Sequence, residues 1–154
     1  MTGVGMHEFQ LIEDSVLTAL SPLKGQGVKT LEPYSGQLEA GPEDLMAITR
    51  VFPCVYVAAG GLSSVTENRT DTIDTSVVMV VGDRNPRGPK SASRGDGASP
   101  GVYAILENIR GILHGQRIVP DFLPLCRGRE YPVFYKPADG VCLYLAVYGT
   151  RRRD

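Results

Sequence analysis

Val77, Val78, Met79, Val80 and Val81 follow one another without a polar residue between them. A strand with one wet face alternates apolar and polar side chains, whereas a run that fails to alternate belongs where both faces of a sheet are covered. The run therefore predicts a central strand over DTIDTSVVMVVGD, residues 71–83, in a sheet packed on both sides. A second valine-rich run, PCVYVAAGGL at 53–62, precedes it, and the polar link SSVTENRT is short enough for the two to pair antiparallel.

Helical spacing frames this pair. Met6, Phe9, Ile12, Val16 and Leu20 recur at steps of three and four with Glu8, Glu13 and Asp14 between them, which predicts an amphipathic helix stopped by SPLKGQG. VKTLEPYSG reads as a short strand weakened by Pro33, and GPEDLMAITRVF as a short helix opened by Pro42 and ending before Pro53. Further on, Ser99 is placed to cap and Pro100 to open a helix whose stripe is Val102, Ile105, Leu106, Ile109, Ile112 and Leu113, with Gly115 beyond its end. Strand-like runs at Leu123–Cys126 and Val141–Tyr148 flank a short PVFY run, with PADG as a tight turn. Eighteen glycines and eleven prolines keep the elements short. The order predicts a single α+β domain over 1–154, a mostly antiparallel sheet with two to three helices packed on it.

Between the central strand and the last helix lies a stretch, 83–99, with hardly an apolar side chain. Arg84, Arg87, Lys90 and Arg94 stand there against Asp83 and Asp96, and the stretch is expected to be a mobile basic loop, either a solvated connection of no specific role or one that orders on an acidic partner. Arg151, Arg152 and Arg153 are expected to add to that patch or to keep the last strand's edge soluble. The chain as a whole is balanced, 16 basic against 17 acidic residues, which argues against a dedicated nucleic-acid binder.

Chemistry finds little to hold. Five residues separate Gly82 from Gly88 and Pro89 precedes Lys90, so no phosphate-cradling loop of the Walker kind is present. RGD at 94–96 reads as chance in a loop rich in those residues. His7 and His114 sit alone on predicted helices, and Cys54, Cys126 and Cys142 are too dispersed for a metal set or a disulfide framework. No catalytic residue, metal or cofactor is expected; the enzymatic alternative is a site assembled by the fold around His7 or His114. No apolar stretch approaches a membrane span, and MTGVGMHEFQLIEDS is not a signal peptide, so a protein made and kept in a cytoplasm is expected.

The order of segments resembles a family of small tail proteins of Mu-like prophages and, more distantly, the tail-terminator proteins of long-tailed phages. The resemblance rests on MHEFQLIEDSVLTAL, on VFPCVYV and TSVVMVV, and on GVYAILENIRGILHGQ followed by FLPLCRGREYPVFY and VCLYLAVYGTRR. It implies an α+β fold and a protein without catalysis or cofactor that assembles, usually as a ring of six, at the head-proximal end of the tail. Its partners would be further copies of itself, the tail tube, the sheath and the neck or head-completion protein, with no membrane and no specific nucleic acid. It would be found in the host cytoplasm during assembly and then in the virion tail. The alternative within the same class is another neck or tail-assembly adaptor. Contact is expected through Arg84, Arg87, Lys90 and Arg94, and secondarily through Arg151, Arg152 and Arg153. A role for the loop in touching DNA as it passes would appear as steep salt dependence.

Overall fold

A computed structural model of the chain describes residues 7–34, 52–85, 87–96, 100–136 and 140–153. The helix expected over GPEDLMAITRVF lies outside them except for Phe52, as do Ser99, Met6 and all of PADG except Gly140. The elements are α1 (Glu8–Ala19), a 3-10 turn (Ser21–Gln26), β1 (Thr30–Pro33), β2 (Cys54–Glu67), β3 (Thr70–Arg84), α2 (Pro89–Arg94), α3 (Val102–Leu113), β4 (Cys126–Lys136) and β5 (Val141–Arg153). The five strands form one sheet in the order β1-β2-β3-β5-β4. β1 runs parallel to β2 and every other neighbouring pair is antiparallel, which gives the expected α+β fold.

β3 lies at the centre, as its apolar run predicts, but its two faces are not equally covered. Val77, Met79 and Val81 are fully buried beneath the helices, while Val78 and Val80 on the opposite face are only half-buried. The loss of alternation comes from that second face. There Val78 and Val80 lie opposite Val147 and Leu145 of β5, and Val80 packs against a smaller cluster of Phe52, Cys54, Tyr56, Val141 and Leu143. The larger core is closed from the helix side by Ile12 and Val16 of α1 and by Ile105, Ile109 and Leu113 of α3. Phe9, expected on the buried stripe of α1, is 38% exposed, and Leu23 of the 3-10 turn is buried instead.

The link SSVTENRT is not a connection in the way the sequence suggested. β2 continues to Glu67 and β3 begins at Thr70, so the turn is Asn68 and Arg69 alone, both at positive φ (51° and 65°). Two left-handed central residues are what a tight hairpin needs to match the twist of its strands. Two further expectations are corrected. Leu123–Cys126 is not a strand: Phe122 and Leu125, on either side of Pro124, turn into the core, and β4 starts only at Cys126. The N-cap of α3 is Gly101 (φ 81°, ψ 154°), so Pro100 lies just before the helix and does not open it.

Burial also sets a pH dependence. It pushes the Cys54 thiol from 9.0 up to about 12, against a backbone hydrogen bond from Gly82. It likewise pushes the Tyr56 and Tyr148 hydroxyls from 10.0 up to about 12, with help from Glu32 and Glu130 respectively. A folded pKa above the unfolded value gives stability that is complete below the unfolded value and is lost as pH rises toward the folded one. The thermal midpoint, followed by circular dichroism, is therefore expected to hold to about pH 9 and to fall steadily between pH 9 and 12. Tyr148→Phe should make that fall shallower, and a midpoint unchanged up to pH 11 would contradict the assignment.

Candidate functional site

The stretch read as a solvated loop has a framework of its own. The next-to-last residue of β3 is Asp83, whose side chain is buried at the base of the excursion. One carboxylate oxygen accepts from the Arg84 amide at 2.7 Å and the other from the Gly101 amide at 3.0 Å, so a single residue ties the two ends together. Asn85, also buried, donates from Nδ2 to Asp96 at 2.7 Å and accepts at Oδ1 from the Arg87 amide at 2.9 Å. Its own amide donates to the Gly140 carbonyl at 2.9 Å, which joins the segment to the start of β5. Between these anchors stands α2. Its Ala92 is buried in the main core, and its Ser93 Oγ lies 3.3 Å from the sulfur of Cys142. A helix within this stretch was not expected from the sequence.

The consequence is electrostatic. Asp83 and Asp96, which balance half of the four bases in this stretch, are turned inward on backbone amides and Asn85. Arg84, Arg87, Lys90 and Arg94 all remain exposed. Arg87 keeps a loose ion pair, 3.8 Å to Asp96, with its side chain 78% exposed. The same inward turn of Asp96 removes the RGD tripeptide as a presented motif.

Arg151, Arg152 and Arg153 do not join this patch. Arg84 pairs with Val141 and Arg153 with Thr72, so the two groups of cations sit at opposite ends of the β3–β5 ladder, roughly 40 Å apart along the strands. At the far end Arg151 grips Asp74 through Nε at 2.6 Å and a second nitrogen at 3.4 Å, which raises the guanidinium's already high pKa. Arg152 reaches Glu8 of α1 at 3.4 Å and lies over the Phe122 ring, 5.0 Å from its centroid. Arg153 is exposed. A cleft of about 430 Å³ opens here, lined by these three arginines with Arg117, Asp121, Phe122 and Leu123. Arg117 was missed by the sequence reading: it is a lone cation in HGQRIV, and only the fold brings it to the terminal arginines.

Both histidines serve the backbone. His7 caps α1, its Nδ1 accepting from the Phe9 amide at 3.0 Å, and His114 Nδ1 accepts from the Arg127 amide at 3.1 Å. Among the described residues neither has an acid partner that would orient it as a base for a nucleophile: the ion-pair contact there, His7 to Glu8 at 3.9 Å, is on the surface. Among the described residues Cys54 and Cys142 are buried thiols and Cys126 an exposed one.

The arrangement is thus a rigid sheet with a cationic surface at each end and no assembled set of reacting groups among the described residues. The sequence pattern of the bacteriophage Mu Gp37 family matches residues 9–144. The chain belongs to the bacteriophage Mu Gp37 family. In fold, the family member is similar to a chain of the virion of a native gene transfer agent particle, with a TM-score of 0.56 over 93% of this chain and 95% of that one. Sequence identity to that chain is 13%, so the likeness is one of fold. No curated protein sequence matches this Gp37-family chain.

Proposed function

We propose that this Gp37-family protein is a structural component of a Mu-like phage particle and acts as its tail terminator. In this reading it forms a ring of six at the head-proximal end of the tail. The ring halts tube growth, meets the last sheath ring, and offers its other face to the neck. It is made in the host cytoplasm, remains in the virion tail and works by assembly, without catalysis or cofactor. The whole chain would act as one domain.

The observation that carries the reading is the placement of charge in a fold shared with a virion protein. A part seated between two different neighbours needs two different surfaces, and here exposed cations stand at both ends of the β3–β5 ladder. Such charges orient and speed association more than they add affinity. The segment bearing Arg84, Arg87, Lys90 and Arg94 is the surface for an acidic tube, neck or neighbouring subunit.

Replacing Arg84, Arg87, Lys90 and Arg94 with serine tests this. All four are exposed, and the anchors Asp83 and Asn85 are untouched, so the thermal midpoint is expected to stay within a few degrees of wild type. Complementation of a phage lacking the gene should then yield at least tenfold fewer joined virions, with unattached heads and tails accumulating. Normal virion yield from a folded variant contradicts the role of this surface.

A further inference from the structure

The cleft at the far end of the ladder has more specific chemistry than its charge alone implies. Its loop, 117–123, is fastened to β5 by the Leu123 amide on the Arg151 carbonyl at 2.8 Å and by the Thr150 hydroxyl on the Leu123 carbonyl at 2.5 Å. Asp121 holds the turn at φ 68°. Two of the four guanidiniums are committed, Arg151 to Asp74 and Arg152 to Glu8 and Phe122. The other two, Arg117 and Arg153, are exposed and make no ion pair among the described residues. Beside them Leu123 is 51% exposed, and it also lines an adjoining groove of about 390 Å³ with Pro124, Cys126 and Gly149.

We propose that this cleft is the docking site for an acidic, extended protein segment. Two of the segment's carboxylates would lie on Arg117 and Arg153, and an apolar side chain between them would lie on Leu123. The inference rests on the proposed structural role for the existence of such a neighbour. Guanidinium forks favour the planar carboxylate, and a half-exposed leucine in the same cleft as two cations matches a segment that alternates acidic and apolar side chains.

Nucleic acid fits less well. With Arg151 and Arg152 neutralised by Asp74 and Glu8, the cleft offers two separate cations, which suits two carboxylates and not a phosphate backbone that needs an uninterrupted cationic track. The hairpin tip of a second copy also fits less well. The exposed acids at the tip of the β2–β3 hairpin, Glu67 and Asp71, are interrupted by Arg69, and Asp71 already accepts from Thr66 at 2.5 Å.

The test uses the full chain and a short capped peptide alternating glutamate and leucine. Its controls are the same peptide with glutamine for glutamate and an oligothymidylate of equal length. Titration followed by NMR is expected to move the Leu123 methyl and Arg117 and Arg153 side-chain signals. The glutamate peptide should bind at least tenfold more tightly than either control, and Arg117→Ser/Arg153→Ser should weaken it at least tenfold. Leu123→Ser should weaken it less. Tighter binding of oligothymidylate, or equal binding of the peptide by wild type and double variant, overturns the proposal. So does a double variant that loses self-association by light scattering while peptide binding is unchanged, because the occupant is then a second copy. Failure of the wild type to form rings would count against the terminator reading and leave the peptide result standing on its own.

Discussion

Gly101→Ala is expected to destabilise the protein by roughly 3–5 kcal/mol. Gly101 sits at φ 81° and ψ 154°, a backbone region almost closed to residues with a Cβ. Space is refused as well: an added Cβ would meet the Gly95 amide nitrogen and stand 2.7 Å from both the Gly95 Cα and the Arg94 carbonyl carbon. These are backbone atoms at the end of α2, and they cannot rotate away as a side chain can. Relief requires moving either α2 or the start of α3, and the Gly101 amide is also the donor that Asp83 holds at 3.0 Å. The substitution therefore strikes the knot that closes the basic segment. Urea unfolding gives the measurement, with Gly111→Ala as the control. Gly111 lies within α3 with nothing within 4 Å of its would-be Cβ, so alanine there should be neutral or stabilise by up to about 1 kcal/mol. A Gly101 variant within 1 kcal/mol of wild type would mean that the segment is not held as described.

Phe122→Ala should be comparably severe, at about 3–5 kcal/mol. The ring is 1% exposed, closes the bottom of the main core, and carries the Arg152 guanidinium on its face. Removing it leaves a cavity under the 117–123 loop and frees Arg152, so the floor of the cleft loses its shape as well as its stability. Phe122→Leu refills most of the volume and is expected to recover more than half of the loss while leaving the cation–π contact broken. Comparing the two variants in urea, and in peptide binding, separates the ring's packing from its hold on Arg152. Equal stability of Phe122→Ala and wild type would contradict the packing.

The parts of the fold that the sequence disclosed were those governed by local pattern. The stripe of α3 and the central place of β3 follow from the spacing of Ile105, Ile109 and Leu113 and from the unbroken run at 77–81. The hairpin was half legible. Val65, Thr66, Thr70 and Thr72 are good strand formers, but the turn is Asn-Arg with Arg69 left-handed, and no glycine marked it. Leu123–Cys126 looked like a strand because its side chains are apolar, yet Pro120 and Pro124 deny it regular pairing.

The candidate surfaces were legible in composition and not in arrangement. Counting charges could not show that Asp83 and Asp96 spend theirs on buried amides and Asn85, which leaves the outward face more basic than the sequence balance. Nor could it show that Arg151–Arg153, running antiparallel to β3, end beside Thr72 and Asp74, far from Arg84. Arg117 becomes part of a group only when the loop after α3 folds back onto β5.

The central claim is that the protein works as a terminal ring. The most direct test is imaging of the purified chain alone and with isolated tail tubes, after its mass has been followed by light scattering across a concentration series. A six-membered ring with a central opening, free in solution or seated on tube ends, is the predicted result. A protein that stays monomeric at every concentration and that the tubes do not capture would contradict the account.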